Sequence, residues 1–221
     1  IKCYEDDIRP DERYLMERFI TGNLDVQAQL STKPCQYKQL IHAKCKTQKD
    51  KTAVNLSLLS LDIECSLSGE LYSIGLYSNN YQCVLMIGEI ITDSANYIVW
   101  LENEETLLEA LLTQVAQYDP DVIIGWNVIN FDMDVLQKRY DHYGIKFSLG
   151  RDFSAPYWRK HKNSEQKYID IAGRVVIDGI DLLRTATYSF TSFSLDNVAN
   201  TLLGIGKKVE DADNRIEEIN Y

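Results

Sequence analysis

The chain has 221 residues, 45% hydrophobic and 25% charged, a balance that excludes a disordered chain and fits a soluble globular protein. A formal net charge of −10 excludes a broad basic footprint for duplex DNA, yet leaves room for a narrow site where cations bridge protein acids to a phosphate. Five cysteines, Cys3, Cys35, Cys45, Cys65 and Cys83, with no C-x-x-C spacing, exclude a disulfide framework and a zinc cluster and fit a reducing cytosol, and no apolar run reaches the length of a membrane span.

Residues 1 to 50 mix short extended pieces, Cys3 to Ile8 and Gln36 to Lys46, with turn signals at Arg9-Pro10 and Lys33-Pro34, too little to close a core. After the Lys-rich stretch Lys44 to Lys51, the run Leu56 to Cys65 reads as a central strand covered on both faces. Glu70 to Tyr77 and Gln82 to Gly88 complete a three-strand antiparallel meander, and Tyr97 to Leu101 is a further short extended piece. Glu104 to Tyr118 has helical apolar spacing and ends at Asp119-Pro120. Val122 to Asn127 is a second buried strand, and Asp132 to Tyr143 an amphipathic helix with Val135, Leu136 and Tyr140 inward, closed by Gly144. A helix between two buried strands implies a crossover and an α/β layered domain. Residues 145 to 167 read as irregular, Lys167 to Ile177 as a hairpin around Gly173, Ser194 to Leu203 as a helix stopped by Gly204, and Asp211 to Ile219 as a last helix.

Chemistry concentrates at two places. Asp62 and Glu64 lie two apart on a strand, hence on one face, roughly 7 Å apart along the chain direction. With no Lys or Arg among their immediate neighbours, two such acids repel unless a hard cation, Mg²⁺ or Mn²⁺, takes their oxygens. Asp132 leaves the second strand at the start of a helix, where its simplest role is a cap stabilised by the helix dipole. Its position at the C-terminal edge of one inner strand, beside the pair at the end of another, also lets three acids converge on one crevice. His42, His142 and His161 lie in polar surroundings and read as solvated, and Trp100, Trp126 and Tyr140 read as core aromatics.

These residues carry a family resemblance. Ser60-Leu61-Asp62-Ile63-Glu64 resembles the first exonuclease motif of family B DNA polymerases and Asn127-x-x-x-Phe131-Asp132 the second. Arg9-Pro10-x-x-Arg13-Tyr14-Leu15-Met16-Glu17-Arg18-Phe19, Tyr118 to Asn127, Leu149-Gly150-Arg151-Asp152, Gly173 to Gly179 and Ser192-Phe193-Ser194-Leu195 extend the likeness to bacterial members over nearly the whole chain. The resemblance implies a ribonuclease H-like mixed sheet flanked by helices at residues 51–221, preceded at 1–50 by part of the polymerase's N-terminal domain. It implies two-metal 3′-to-5′ proofreading with Mg²⁺ or Mn²⁺, held by Asp62, Glu64 and Asp132. Asn127, Phe131, Ser194 and Leu195 would lie against the single-stranded 3′ end of DNA. It further implies a bacterial cytoplasmic setting, with the remainder of the polymerase chain and, through it, a sliding clamp as partners.

The family's third motif, Tyr-x-x-x-Asp, occurs nowhere in the sequence. The first residue is Ile1 and the last Tyr221, so the expectation is a piece of a longer protein that stops short of that motif and is nearly inactive alone. Asp178 and Asp181 have the spacing of a helix cap and are the alternative source of a fourth acid. Two readings stay open: a proofreading exonuclease region, or a non-catalytic ribonuclease H-like module that binds single strands or another part of a polymerase.

Overall fold

The computed structural model describes residues 8–34, 38–48, 53–91, 94–160 and 165–206. The helix expected from Asp211 to Ile219, together with His161, Tyr221 and most of the expected extended piece at Cys3 to Ile8, lies outside the described residues. The Arg9-Pro10 step, expected as a turn, instead opens helix α1 (Pro10–Met16), because proline at the first helical position gives up an N–H that has no partner there anyway. Strands β1 (Leu24–Leu30) and β2 (Leu40–Thr47) pair antiparallel as a two-stranded sheet, tied to α1 by the Tyr14 hydroxyl, which accepts from the Cys45 N–H at 3.0 Å.

The remaining strands build a six-stranded mixed sheet. In chain order they are β3 (Leu58–Cys65), β4 (Leu71–Ser78), β5 (Tyr81–Ile87), β6 (Ile98–Leu101), β7 (Val122–Gly125) and, after the two-stranded pair β8 (Tyr157–Lys160) and β9 (Lys167–Asp170), β10 (Val175–Asp178). Their order in space is β10-β7-β3-β4-β5-β6. The meander β3-β4-β5 is antiparallel as expected, β6 returns parallel to β5, and helix α2 (Glu104–Tyr118) crosses the chain over to β7, parallel to β3. Helices α3 (Asp132–Tyr143), α4 (Gly179–Thr185) and α5 (Leu195–Leu203) follow. Among the described residues no helix is long and apolar enough to cross a membrane.

The core lies on one face of β3, not two. Leu59, Leu61 and Ile63 are buried, whereas Leu58, Asp62 and Glu64 on the opposite face are exposed. The run reads as apolar throughout because Leu58 and Ser60 stand where a fully covered strand would carry core side chains. Leu107, Leu108, Leu111 and Val115 of α2 and Met133, Leu136 and Tyr140 of α3 join the buried strand residues in one apolar cluster. Asn103 and Thr106 form a reciprocal capping box at the start of α2, and Asp119, at φ 53°, ends it in the left-handed conformation.

Two expectations for the second half fail. Lys167 to Ile177 is no hairpin: β9 pairs with β8, β10 pairs parallel to β7, and only an isolated bridge joins Ile171 to Arg174. Residues 145 to 167 are therefore not all irregular, and Phe147 and Leu149 within them are buried, Phe147 stacking on Tyr140 at 4.3 Å. Nor is Trp126 or Trp100 a core aromatic. Each is half-buried and spends its indole N–H on a specific acceptor, the Phe193 carbonyl and the Ser94 hydroxyl respectively.

The edge where the parallel strands begin is locked by charge. The Asp121 carboxylate accepts from both the N–H and the hydroxyl of Ser57 at 2.9 Å, joining β7 to the start of β3. Arg151 bridges Asp119 and Asp121, and the buried Arg174 donates to Asp119 and to the Leu149 and Pro120 carbonyls. The Arg151 and Arg174 stretches noted in the sequence thus hold the end of the sheet opposite to the acids.

Candidate active site

Where β3, β7 and β10 end, on the other edge, the backbone of β7 turns tightly over β3. Gly125 permits the turn, since a Cβ there would come within 2.7 Å of the Leu61 carbonyl and 2.8 Å of the Val128 side chain. Asn127 follows at φ 57°, a left-handed conformation that asparagine tolerates better than most residues. Its carbonyl accepts from the Phe131 N–H at 2.9 Å, closing a loop that leads into α3. Phe131, at the N-cap position, is 44% exposed and presents its ring to solvent.

Asp132 turns inward from the first residue of α3. It is 2% exposed, and its Oδ1 accepts from the N–H of Ile63 at 3.0 Å, the residue between Asp62 and Glu64. Asp62 and Glu64 share the exposed face of β3, as the period of two requires. Burial, then the charge of Asp62, pushes the Asp132 carboxyl up to about 7, against the pull of the Ile63 N–H, and Asp178 adds to the rise. A buried acid beside an exposed one of the same sign is relieved by an opposite charge, and carboxylate oxygens suit a hard divalent cation. As they stand, no three or more His, Cys, Asp or Glu among the described residues form a group placed to hold a metal ion. The structure therefore brings Asp132 against Asp62 and the Ile63 backbone without arranging all three acids around one point.

The loop from Trp126 to Asp132 is fixed from two further directions. Asp178, 4% exposed at the end of β10, accepts from the Ile180 N–H at 2.9 Å, as an N-cap of α4, and from the Ile129 N–H at 3.2 Å. The expected cap is thus present, and the same carboxylate also braces the loop. The Asn130 side chain accepts from the Lys167 N–H at 3.0 Å, and the Trp126 indole donates to the Phe193 carbonyl at 3.1 Å. Ser194 uses its hydroxyl to cap α5, accepting from Asn197 at 3.3 Å, and Leu195 beside it is 49% exposed. His42 and His142 are exposed and stand apart from this edge.

The family profile for DNA polymerase family B, exonuclease domain, matches residues 1–198. The chain belongs to that family. Over 223 aligned residues it is 41% identical to DNA polymerase II of Escherichia coli (strain K12), an alignment that takes in 99% of this chain and 28% of the relative. It is 30% identical over 169 residues to a DNA polymerase of Pyrococcus horikoshii, covering 72% of this chain and 13% of the relative. With a DNA polymerase of Thermococcus sp. (strain 9oN-7) the identity is 29% over 164 residues, covering 69% and 20%. The chain spans between about an eighth and a little over a quarter of the length of these relatives.

In this family B exonuclease chain, the contacts that brace the loop beside Asp132 have no signature in the sequence. The bond from Ile129 to Asp178 joins residues 49 apart, and no local pattern announces it. The signal for Trp126 is its place: a tryptophan beside Asn127, just past the end of a strand, is set to brace a loop as readily as to fill a core.

Proposed function

We propose that this chain is the 3′-to-5′ proofreading exonuclease region of a DNA polymerase, acting on a single-stranded 3′ end, with the rest of the polymerase chain and a clamp bound through it as partners. The observation that carries the reading is Asp132, buried at a helix N-terminus and bonded to the backbone between Asp62 and Glu64. Asp62, Glu64 and Asp132 would hold Mg²⁺ or Mn²⁺. When bound, a pair of such ions supplies a nucleophilic water at neutral pH and stabilises the leaving oxygen of a phosphodiester. The chain's own residues then position the substrate. Phe131 offers an exposed ring on which an unpaired base can stack without regard to sequence, and Asn127, Ser194 and Leu195 flank the strand.

No Tyr-x-x-x-Asp occurs among the 221 residues, so a fourth acid and a tyrosine to orient the water are missing from this set. Loss of one such group commonly costs about 10²- to 10³-fold in rate, and we expect this chain alone to hydrolyse DNA slowly. The test is a Mn²⁺ titration run beside a cleavage assay on labelled single-stranded DNA. Weak Mn²⁺ binding that disappears in Asp62→Ala, with cleavage near background, is expected. Unchanged binding in Asp62→Ala would remove the shared site, and rapid cleavage would point to Asp178 as the acid that completes it. The second reading, a non-catalytic single-strand-binding module, is favoured by the absence of a three-acid group among the described residues. It requires strand binding that is indifferent to divalent cations.

A further inference from the structure

Resting on the proposed strand-binding role, we infer that Trp126 is a positioning residue that sets the spacing between the two segments lying against the single strand. One segment is the loop from Asn127 to Phe131, and the other is the turn that starts α5 at Ser194 and Leu195. The two are 60 or more residues apart in sequence, and Trp126 joins them directly. Its backbone opens the first segment and its indole N–H donates to the carbonyl of Phe193, the residue before Ser194, at 3.1 Å.

Both ends of that joint are built to be stiff. Under the indole lies Gly179, the first residue of α4, where a Cβ would sit 2.9 Å from the ring, so the ring packs against bare backbone. On the far side Phe193 meets Phe190 edge-on at 5.4 Å, with the Arg184 guanidinium 4.8 Å over the Phe193 ring. The turn is closed by the Ser192 hydroxyl accepting from the Ser194 N–H at 3.1 Å and by the Asn197 amide donating to the Ser192 carbonyl at 2.7 Å. A shift of the indole therefore moves the Ser194 cap and Leu195 as a unit, while Asp132, held by Ile63, stays in place. A phenylalanine at position 126 would keep an aromatic ring there and lose the N–H, together with part of the bicyclic surface that covers Gly179.

Trp126→Phe in the whole chain is expected to weaken binding of an eight-residue oligothymidylate, measured with Ca²⁺ in place of Mg²⁺, by about 3- to 10-fold, equivalent to one ordinary hydrogen bond. The melting temperature should fall by only a few degrees, as loss of one hydrogen bond implies, while Mn²⁺ binding stays at the wild-type value, a split between the two ligands that a merely structural role would not produce. In a double-mutant cycle the loss should overlap with that of Leu195→Ala and add to that of Phe131→Ala, since the first partner moves with Phe193 and the second does not. Gly179→Ala, which pushes on the ring without removing it, is the second variant and should reproduce the loss. Wild-type affinity in a folded Trp126→Phe, or additivity with Leu195→Ala, would overturn the inference alone. A wild-type chain that does not bind the oligonucleotide would overturn the proposed function and this inference with it.

Discussion

Without divalent cations at pH 8, Asp132 carries a charge that burial and the neighbouring Asp62 and Asp178 all oppose. Its carboxyl is raised from 3.8 to about 7, so the folded chain holds a proton that the unfolded chain releases near pH 4. Stability contributed by this group therefore falls as pH rises from about 4 to about 7 and is level above that. The ionised form costs on the order of 1 to 4 kcal/mol. Asp132→Asn keeps an oxygen for the Ile63 N–H and drops the charge, so at pH 8 in EDTA it should melt roughly 2 to 8 °C above wild type, with no difference at pH 4. Scanning calorimetry at the two pH values checks this, and an Asp132→Asn chain that melts lower at pH 8 would show the carboxylate to be stabilised after all. That Asp62 and Glu64 share a face was legible from strand periodicity alone. That Asp132 lands on the N–H between them was not, because it depends on the parallel pairing of β3 with β7 and on the tight turn at Gly125.

Helices α2 and α3 meet through a buried ion pair that periodicity does not reveal. Glu104, at the first residue of α2 and 7% exposed, accepts from both Arg139 of α3 and the Tyr143 hydroxyl, and also from the Leu71 N–H at 3.0 Å. Burial pushes the Glu104 carboxyl up, but these donors together outweigh it and hold the group below its usual 4.5. A depressed acid contributes stability that is complete above its unfolded value and lost as pH falls through the folded one. The pair should thus give a loss of stability that begins near pH 4.5 and deepens below it. Arg139→Met should lower stability at pH 7 by about 3 kcal/mol, by leaving a buried carboxylate without its counter-charge, and should flatten this acid limb. Urea unfolding at pH 7 and pH 4 reads both effects, and equal pH slopes in the two proteins would refute the assignment. The elements themselves, β3 to β5, α2, β7 and α3, were legible because each shows a strong local apolar period. The β8-β9 pairing was not: β8 exposes Tyr157 and only half-buries Trp158, so its sequence reads as loop, and β9, which reads as extended, lacks a visible partner on its N-terminal side.

Over the whole molecule, a net charge of −10 sits on a chain whose candidate site is a single edge of one sheet. With that balance a duplex would gain little from charge along its two strands of phosphates, while under the proposed reading the exposed Phe131 and Leu195 would give apolar contact to an unpaired end. A frayed 3′ end should therefore bind more tightly than blunt duplex in a gel-shift series with Ca²⁺, and the reverse order would exclude the single-strand reading. The lock formed by Ser57, Asp119, Asp121, Arg151 and Arg174 has a further consequence for how the fold opens. It fastens the starts of β3, β7 and β10 with a network of partly buried ionic bonds, whereas the loop at their far ends hangs on single contacts to Ile63, Lys167, Asp178 and Phe193. Amide hydrogen exchange should grade along the sheet, with Val122 and Ile123 exchanging only through global unfolding and Ile129 and Phe131 through local opening several kcal/mol cheaper. A strand docked at that edge would then be recorded as slower exchange at Ile129 and Phe131 with none at Val122, so the molecule carries its own internal reference for occupancy.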